Sequence, residues 1–219
     1  MNRVLVIGSG GREHALAWRL SQSTTVEQTF VAPGNAGTGL ESGLTNVVLD
    51  VADFNAVVQF CQVQNVSLVV VGPEQPLVDG MVDALSQAGI KCFGPSAAAA
   101  QLEGSKAFAK EFLKRHQIPT ASYEVFTEVA AANEYLQSQS FPVVIKADGL
   151  AAGKGVIIAE DLAEAEATVA DMLADNKFGH AGSRIVIEEF LSGEEASYIV
   201  IADGTSFIPM ATSQDHKAR

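Results

Sequence analysis

Glycine, lysine and acidic residues in this 219-residue chain gather in a few short loops, and their spacing points to the handling of phosphate. The first loop, Gly8-Ser9-Gly10-Gly11-Arg12-Glu13-His14, follows the apolar run Val4–Ile7 and leads into a helical pattern. A phosphate-binding turn sits at such a place, because glycines let the backbone approach a ligand and a helix N-terminus offers N–H donors and positive partial charge. The loop departs from a dinucleotide fingerprint. Glu13 stands where the last glycine is required, and the second predicted strand runs into Pro33-Gly34-Asn35 where an acid should bind ribose. A nicotinamide or flavin dinucleotide is thereby disfavoured, which leaves a phosphorylated small molecule or a tight turn with no ligand. Two further loops, Pro33-Gly34-Asn35-Ala36-Gly37 and Gly72-Pro73-Glu74-Gln75-Pro76-Leu77, also follow predicted strands. Ligands of open α/β sheets bind at that edge. Together the three loops suit a phosphorylated sugar, although plain turn chemistry explains each one singly.

A second set of residues lies further along. Asp148-Gly149-Leu150-Ala151-Ala152-Gly153-Lys154-Gly155 invites comparison with a P-loop but fails it. The spacing is one residue short, Gly155 replaces the hydroxyl residue that would hold magnesium, and a strand follows instead of a helix. A glycine-rich hairpin over phosphates fits better, with Lys146 at the end of an apolar run as a phosphate partner; a solvated edge lysine is the alternative. In Val186-Ile187-Glu188-Glu189-Phe190-Leu191-Ser192-Gly193-Glu194-Glu195, a strand, a hinge and an acid pair could hold adenine through backbone groups and ribose through a carboxylate. Four acids could equally form a solvated face.

The elements that position these loops fall into two patterns. Up to about residue 95, short apolar strands (Val4–Ile7, Thr29–Ala32, Val47–Leu49, Ser67–Val71, Lys91–Phe93) alternate with helical stretches (Glu13–Leu20, Asp53–Gln64, Val78–Ala88). That rhythm predicts a parallel sheet covered on both faces. After Gly94-Pro95, the small-residue stretch from Ser96 to Gln101 reads either as a domain boundary or as an alanine-rich helix. Beyond it the spacing predicts a helix from Ser105 to His116 with Phe108, Phe112 and Leu113 on one side. Strands follow at Tyr123–Phe126, Val143–Lys146 and Val156–Ala159, with helices over Glu128–Gln137 and Asp161–Ala174. Strands at Arg184–Glu189, Ala196–Ala202 and Ser206–Thr212 complete an α+β region with an antiparallel sheet.

Composition sets the outer bounds. With 47% hydrophobic and 18% charged residues the chain is a folding sequence, not a disordered one. No window nears the roughly 18 uninterrupted apolar residues of a membrane span, and Met1-Asn2-Arg3 leads straight into a strand, so a cytoplasmic protein without signal peptide is expected. Cys61 and Cys92 lie in or beside apolar stretches and read as free thiols. A net charge of −12, from 26 acids and 14 bases, argues against nucleic acid as a partner.

Taken together, these segments resemble the ATP-grasp ligases, and among them the phosphoribosylamine–glycine ligase family. The resemblance rests on Val6-Ile7-Gly8-Ser9-Gly10-Gly11-Arg12-Glu13-His14-Ala15, the two proline–glycine loops, Leu102-Glu103-Gly104-Ser105-Lys106, the run from Ile145 to Gly155, Glu188-Glu189-Phe190-Leu191 and Ser213-Gln214-Asp215-His216-Lys217. It implies an α/β fold: a Rossmann-like substrate-binding domain over 1–103, followed by an incomplete α+β ATP-grasp module over 104–219 whose small nucleotide lobe spans about 120–190. It also implies ATP-dependent ligation of glycine to 5-phosphoribosylamine through a glycyl phosphate, in purine biosynthesis, by a monomer using Mg2+ or Mn2+. Position by position, Lys106 and Lys146 correspond to nucleotide-phosphate lysines, and Gly153, Lys154 and Gly155 to the tip of a mobile loop. Glu188, Glu189, Phe190 and Leu191 correspond to the adenine hinge, and Glu195 to a ribose ligand. Gly10, Gly11, Arg12, Glu13, His14, Asn35 and Glu74 belong to the substrate side, and Asp215, His216 and Lys217 lie near the chemistry; a hydrogen-bonding structural role is the alternative for His14 and His216. Family members continue past the residue matching Arg219 with the metal ligands, so the chain is expected to be an amino-terminal portion with no ligase activity alone. The alternatives are another ATP-grasp ligase with a different amine substrate and a nucleotide-binding fragment. A nicotinamide oxidoreductase is disfavoured by Glu13.

Overall fold

A computed structural model describes residues 2–150, 155–174, 183–214 and 216. Its first part runs β1 (Asn2–Gly8), α1 (Gly11–Ser21), β2 (Val26–Pro33), α2 (Ala36–Leu40), β3 (Leu44–Asn46), α3 (Phe54–Gln64), β4 (Leu68–Val71), α4 (Glu74–Val78), α5 (Met81–Gln87) and β5 (Cys92–Phe93). The five strands lie in the order β3-β2-β1-β4-β5 and every pair is parallel. Alternation of side chains along a strand explains why apolar runs are nearly unbroken here. Leu5, Ile7, Val69 and Val71 join Val57, Cys61, Met81 and Leu85 in one core. Val4, Val6 and Val70 join Ala17 and Val31 in another. The chain leaves β1 on one side to make β2 and returns on the other to make β4, so a crevice opens between the loops that follow β1 and β4.

Two expected elements differ. The third strand occupies Leu44–Asn46 instead of Val47–Leu49: Gly43, at φ +87, turns the chain into register with Thr29–Val31, and Val47 and Leu49 pack against the first core instead. The helix expected over Val78–Ala88 is two helices, because Gly80 takes φ +94, which a continuous helix cannot contain.

The alanine-rich stretch is a helix, α6 (Ala97–Gly104), started by Ser96, whose hydroxyl accepts the Ala99 N–H at 3.3 Å. Asp83 of α5 accepts the Ala97 N–H at 2.7 Å, and a Cβ on Gly104 would lie 2.7 Å from Val78, so α6 lies against the first sheet's helices. Ser105, in extended conformation, ends α6 and caps α7 (Lys106–Arg115) by accepting the Phe108 N–H at 3.1 Å.

The next part contains β6 (Tyr123–Phe126), α8 (Val129–Leu136), β7 (Val143–Ala147), β8 (Val156–Ala159), α9 (Leu162–Leu173) and β9 (Ile185–Glu189). These strands form an antiparallel sheet in the order β6-β9-β7-β8. Ile145, Ile185 and Ile187 meet Leu136 of α8 and Ala165, Val169 and Met172 of α9. Asp161 caps α9 through the Glu164 N–H at 2.9 Å. The strand expected over Ala196–Ala202 is divided in two, and the one expected over Ser206–Thr212 is shortened, with a further short strand after it. β10 (Ala196–Ser197) pairs with β13 (Ser213–Gln214), and β11 (Val200–Ala202) pairs with β12 (Phe207–Pro209). Among the described residues, no helix is long and apolar enough to cross a membrane.

Candidate functional site

The crevice between β1 and β4 is a cleft of about 290 Å³ lined by Gly10, Gly11, Arg12, Glu13, Gly72, Pro73 and Glu74. The N-terminus of α1 and that of the short helix α4 both open onto it. Arg12 reaches outward, its side chain 88% exposed, with its guanidinium 3.6 Å from the Glu74 carboxylate. Glu13 turns the other way. Its carboxylate accepts the Gly10 N–H at 2.7 Å and is buried beneath the loop. A Cβ on Gly10 would lie 2.8 Å from one Glu13 oxygen, a Cβ on Gly72 would lie 2.5 Å from the other, and a Cβ on Gly8 would lie 2.8 Å from Cδ. Three glycines from two loops therefore make the space for one carboxylate, which fills the floor where a dinucleotide loop would carry glycine.

His14 and Asn35 stand behind this cleft and do not line it. His14 packs on Gly37 and points Nε2 at Glu41, 3.5 Å away. Asn35 is spent on structure: its Oδ1 caps α2 through the Thr38 N–H at 2.9 Å and its Nδ2 donates to the Ser9 carbonyl at 2.8 Å. That second bond ties the loop after β2 to the loop after β1.

A second cluster joins α7 to the sheet β6-β9-β7-β8. Lys146, at the end of β7, places Nζ 3.0 Å from Oε1 of Glu188 on β9. The other oxygen, Oε2, is 2.9 Å from Nζ of Lys110 on α7. Glu188 is 6% exposed, so its side chain belongs to the lysine cluster and points into the fold. Lys106, one turn before Lys110, donates to the Gly149 carbonyl at 3.1 Å, at the root of the glycine loop. Burial lowers the Lys106 pKa and the charge of Lys146 adds to the effect, opposed by Asp148, Glu103 and Glu188.

Asp148 anchors the same loop. Its Oδ1 accepts the Ala107 N–H at 2.7 Å, near the positive end of α7, and the Ser105 hydroxyl at 3.0 Å; its Oδ2 accepts Arg184 Nε–H at 2.9 Å. Its backbone joins in, accepting the Lys106 N–H at 3.1 Å and donating to the Arg184 carbonyl at 3.0 Å. Gly155 closes the hairpin by accepting the Ala147 N–H at 2.8 Å.

Beyond the cluster, Glu189 lies on the surface and accepts the Ser122 N–H and hydroxyl at 3.1 and 2.8 Å, which lower its pKa. Phe190 and Leu191 follow it, both exposed. Glu195 lines a shallow cavity of about 230 Å³ with Glu194, Ser213 and Gln214. His216 is exposed. Gly153, Lys154, Asp215 and Lys217 lie outside the described residues. A larger cavity, about 710 Å³, sits between β6 and α7, lined by Phe108, Glu111 and Lys114 and also by Ser105, Ala107 and Arg184 of the Asp148 anchor.

Sequence reasoning brought Lys106, Lys146 and Glu188 into one site and missed Lys110, Asp148 and Arg184 as parts of it. The spacing puts Phe108, Phe112 and Leu113 on one side of α7, whereas Ala107 and Lys110 are its buried residues. One signal was available: Lys106 and Lys110 are spaced i, i+4 and must share a helix face.

Residues 2–103 match the family described as phosphoribosylglycinamide synthetase, N domain, and residues 104–219 match phosphoribosylglycinamide synthetase, ATP-grasp (A) domain. The chain is 65% identical over 215 residues to phosphoribosylamine–glycine ligase of Escherichia coli (strain K12), covering 98% of this chain and 50% of that protein. It is 61% identical over 217 residues to the ligase of Allochromatium vinosum, covering 99% and 51%. It thus spans about half the length of these relatives. The crystal structure of phosphoribosylamine–glycine ligase from Thermotoga maritima superposes with a TM-score of 0.78 at 30% identity, over 96% of this chain and 49% of that one. The biotin carboxylase domain of Hydrogenobacter thermophilus 2-oxoglutarate carboxylase, at 18% identity and TM-score 0.75 over 97% and 50%, shares the fold. The chain belongs to the phosphoribosylglycinamide synthetase family.

Proposed function

We propose that the protein to which this chain belongs joins glycine to 5-phosphoribosylamine, consuming ATP and releasing glycinamide ribonucleotide, ADP and phosphate. The observation that carries the reading is the pairing of an ordered double family match with a buried lysine–carboxylate cluster at the root of the glycine loop. In this reading residues 1–103 bind the ribose phosphate and 104–219 begin the ATP-grasp module, with the small nucleotide lobe over about 120–190.

ATP supplies the phosphoryl group that activates the glycine carboxylate as glycyl phosphate, which the amine then attacks. The residues of this chain bind and orient. Lys106 and Lys146 neutralise phosphate oxygens, an electrostatic contribution that dominates phosphoryl transfer. Glu188 holds Lys146 in place, and the exposed backbone after it, through Glu189, Phe190 and Leu191, receives adenine, with Glu195 on the ribose. Gly10, Gly11, Arg12 and Glu74 surround the sugar phosphate; Glu13, His14 and Asn35 shape that loop from behind. Gly153, Lys154 and Gly155 cover the phosphates, and Asp215, His216 and Lys217 lie near the reacting groups. Mg2+ or Mn2+ belongs to the proposal, but the described residues contain no group of three or more acidic, histidine or cysteine side chains that could hold a metal ion. A cytoplasmic monomer acting on small molecules completes the reading.

Thermal unfolding of the 219-residue chain tests it. ATP and ribose 5-phosphate should each raise the melting temperature, because a ligand of the native state stabilises by about 2.7 kcal/mol at a hundred times its Kd. The chain alone should form no glycinamide ribonucleotide. Absence of any shift with either ligand would overturn the binding roles, and product formed by the purified chain would overturn the expectation of inactivity.

A further inference from the structure

We propose that Lys110 is a positioning residue of the nucleotide-phosphate site: by holding one oxygen of Glu188 it orients that carboxylate and keeps the positive charge of Lys146 available to phosphate. The proposal rests on the nucleotide-site reading above.

The geometry separates Lys110 from a ligand-touching lysine. Its side chain is 9% exposed, and Nζ lies 2.9 Å from Glu188 Oε2, 2.8 Å from Thr120 Oγ1 and 3.2 Å from the Ala121 carbonyl. An ammonium has three N–H donors, and three acceptors are in place. The Tyr123 ring lies 5.5 Å away on the same side. Lys110 thus acts through Glu188 or not at all.

A buried ammonium is costly unless paired, and a lone lysine–glutamate pair is often no better than two apolar residues of the same volume. Here the carboxylate is shared. Lys146 takes the second oxygen at 3.0 Å while its own side chain stays 27% exposed beside the glycine hairpin. Glu188 paired with Lys146 alone would make a neutral couple with little attraction for an anion. With Lys110 the group carries one net positive charge, and only Lys146 can present it outward. The neighbouring acid is likewise shared: Asp148 pairs with Arg184 while its charge also bears on Lys106.

Binding measured by calorimetry on the 219-residue chain tests this with two probes, inorganic tripolyphosphate and adenosine. Lys110→Met should weaken tripolyphosphate about tenfold or more, the scale of losing one charge-assisted contact, and should leave adenosine within about threefold. The double variant Lys110→Met with Glu188→Gln removes both buried charges and should recover tripolyphosphate affinity to within about threefold of the parent. Unchanged tripolyphosphate binding in Lys110→Met, equal loss of both probes, or a double variant no better than the single overturns the proposal. If Lys110→Met does not fold, Lys110→Arg decides: retained tripolyphosphate affinity supports the charge role, and a tenfold loss or failure to fold overturns it. A parent chain that binds neither probe would instead overturn the nucleotide-site reading itself.

Discussion

Replacing Gly72 by alanine should destabilise the first sheet unit, and removing the Glu13 side chain should abolish that penalty. The new methyl group would meet Glu13 Cγ, with Oε1 at 2.5 Å and Cδ at 2.8 Å, closer than carbon and oxygen tolerate. The cheapest relief is for Glu13 to swing out, which forfeits its 2.7 Å bond from the Gly10 N–H. A hydrogen bond to a charged group contributes about 1.5–3 kcal/mol, and overpacking costs about 1–3 kcal/mol, so Gly72→Ala should cost about 2 kcal/mol. In a Glu13→Ala background the clashing atoms are gone. Gly72→Ala should then lie near zero or stabilise by up to about 1 kcal/mol through the stiffer unfolded chain. The coupling energy is therefore about 2 kcal/mol. Trp18 on α1 is the single tryptophan of the chain, so its fluorescence in urea follows this unit and not the other. For a unit of about 100 residues the single variant should melt roughly 8–16 °C lower, at about 4–8 °C per kcal/mol. Additivity of the two substitutions within about 0.5 kcal/mol would refute the claim that Glu13 and Gly72 share one space.

The second unit should respond to Asp148→Asn, which keeps the shape and removes the charge that Ala107 N–H and Arg184 share. Because Arg184 is part exposed, the loss should be about 1–3 kcal/mol, seen as a lower urea midpoint by circular dichroism and faster exchange of the Ala107 amide; an unchanged amide would contradict it. Burial pushes both thiols, Cys61 and Cys92, up to about 11 from 9.0. The unfolded chain therefore loses its thiol protons first, so these groups take stability away as pH climbs from about 9 to about 11 and have no such effect below. Alkylation at pH 8 should be slower than for a free thiol, and a rate equal to that of a small-molecule thiol would refute the upward shift.

What could be read in advance follows from the range of the interaction involved. Val4–Ile7 and Leu68–Val71 announce a doubly covered parallel sheet because each residue faces a core whichever way it points. The loops after them are legible for the same reason, since their glycines sit at fixed offsets from strand ends. Periodicity is blind to a side chain turned inward by a partner far along the chain. Lys110 looks like a solvated helix lysine until Glu188, Thr120 and Ala121 are placed around it. Arg184 looks like a strand-end charge until Asp148 arrives beneath it. Glu13 marks the loop as no dinucleotide motif, but its type alone does not tell whether the carboxylate faces a ligand or fills the space under Gly8 and Gly72. Gly80 is a local case that periodicity also missed, because the apolar stripe continues across a residue whose φ of +94 breaks the helix.

The acidic balance acquires a narrower meaning from the same geometry. A chain of net charge −12 repels a long polyanion, whose many phosphates sample the whole surface. The triphosphate of the proposed reading would sample one site. Exposed acids more than about 8 Å from that site are largely screened at physiological ionic strength, whereas buried charges a few ångströms apart are not. Within the cluster, Lys106, Lys110, Lys146 and Arg184 outnumber Glu188, Asp148 and Glu103, so the local sign is positive although the chain is strongly negative. In the proposed reading, a nucleotide would meet the local positive charge that the partly exposed Lys146 presents, whereas a nucleic acid would meet the negative charge spread over the surface.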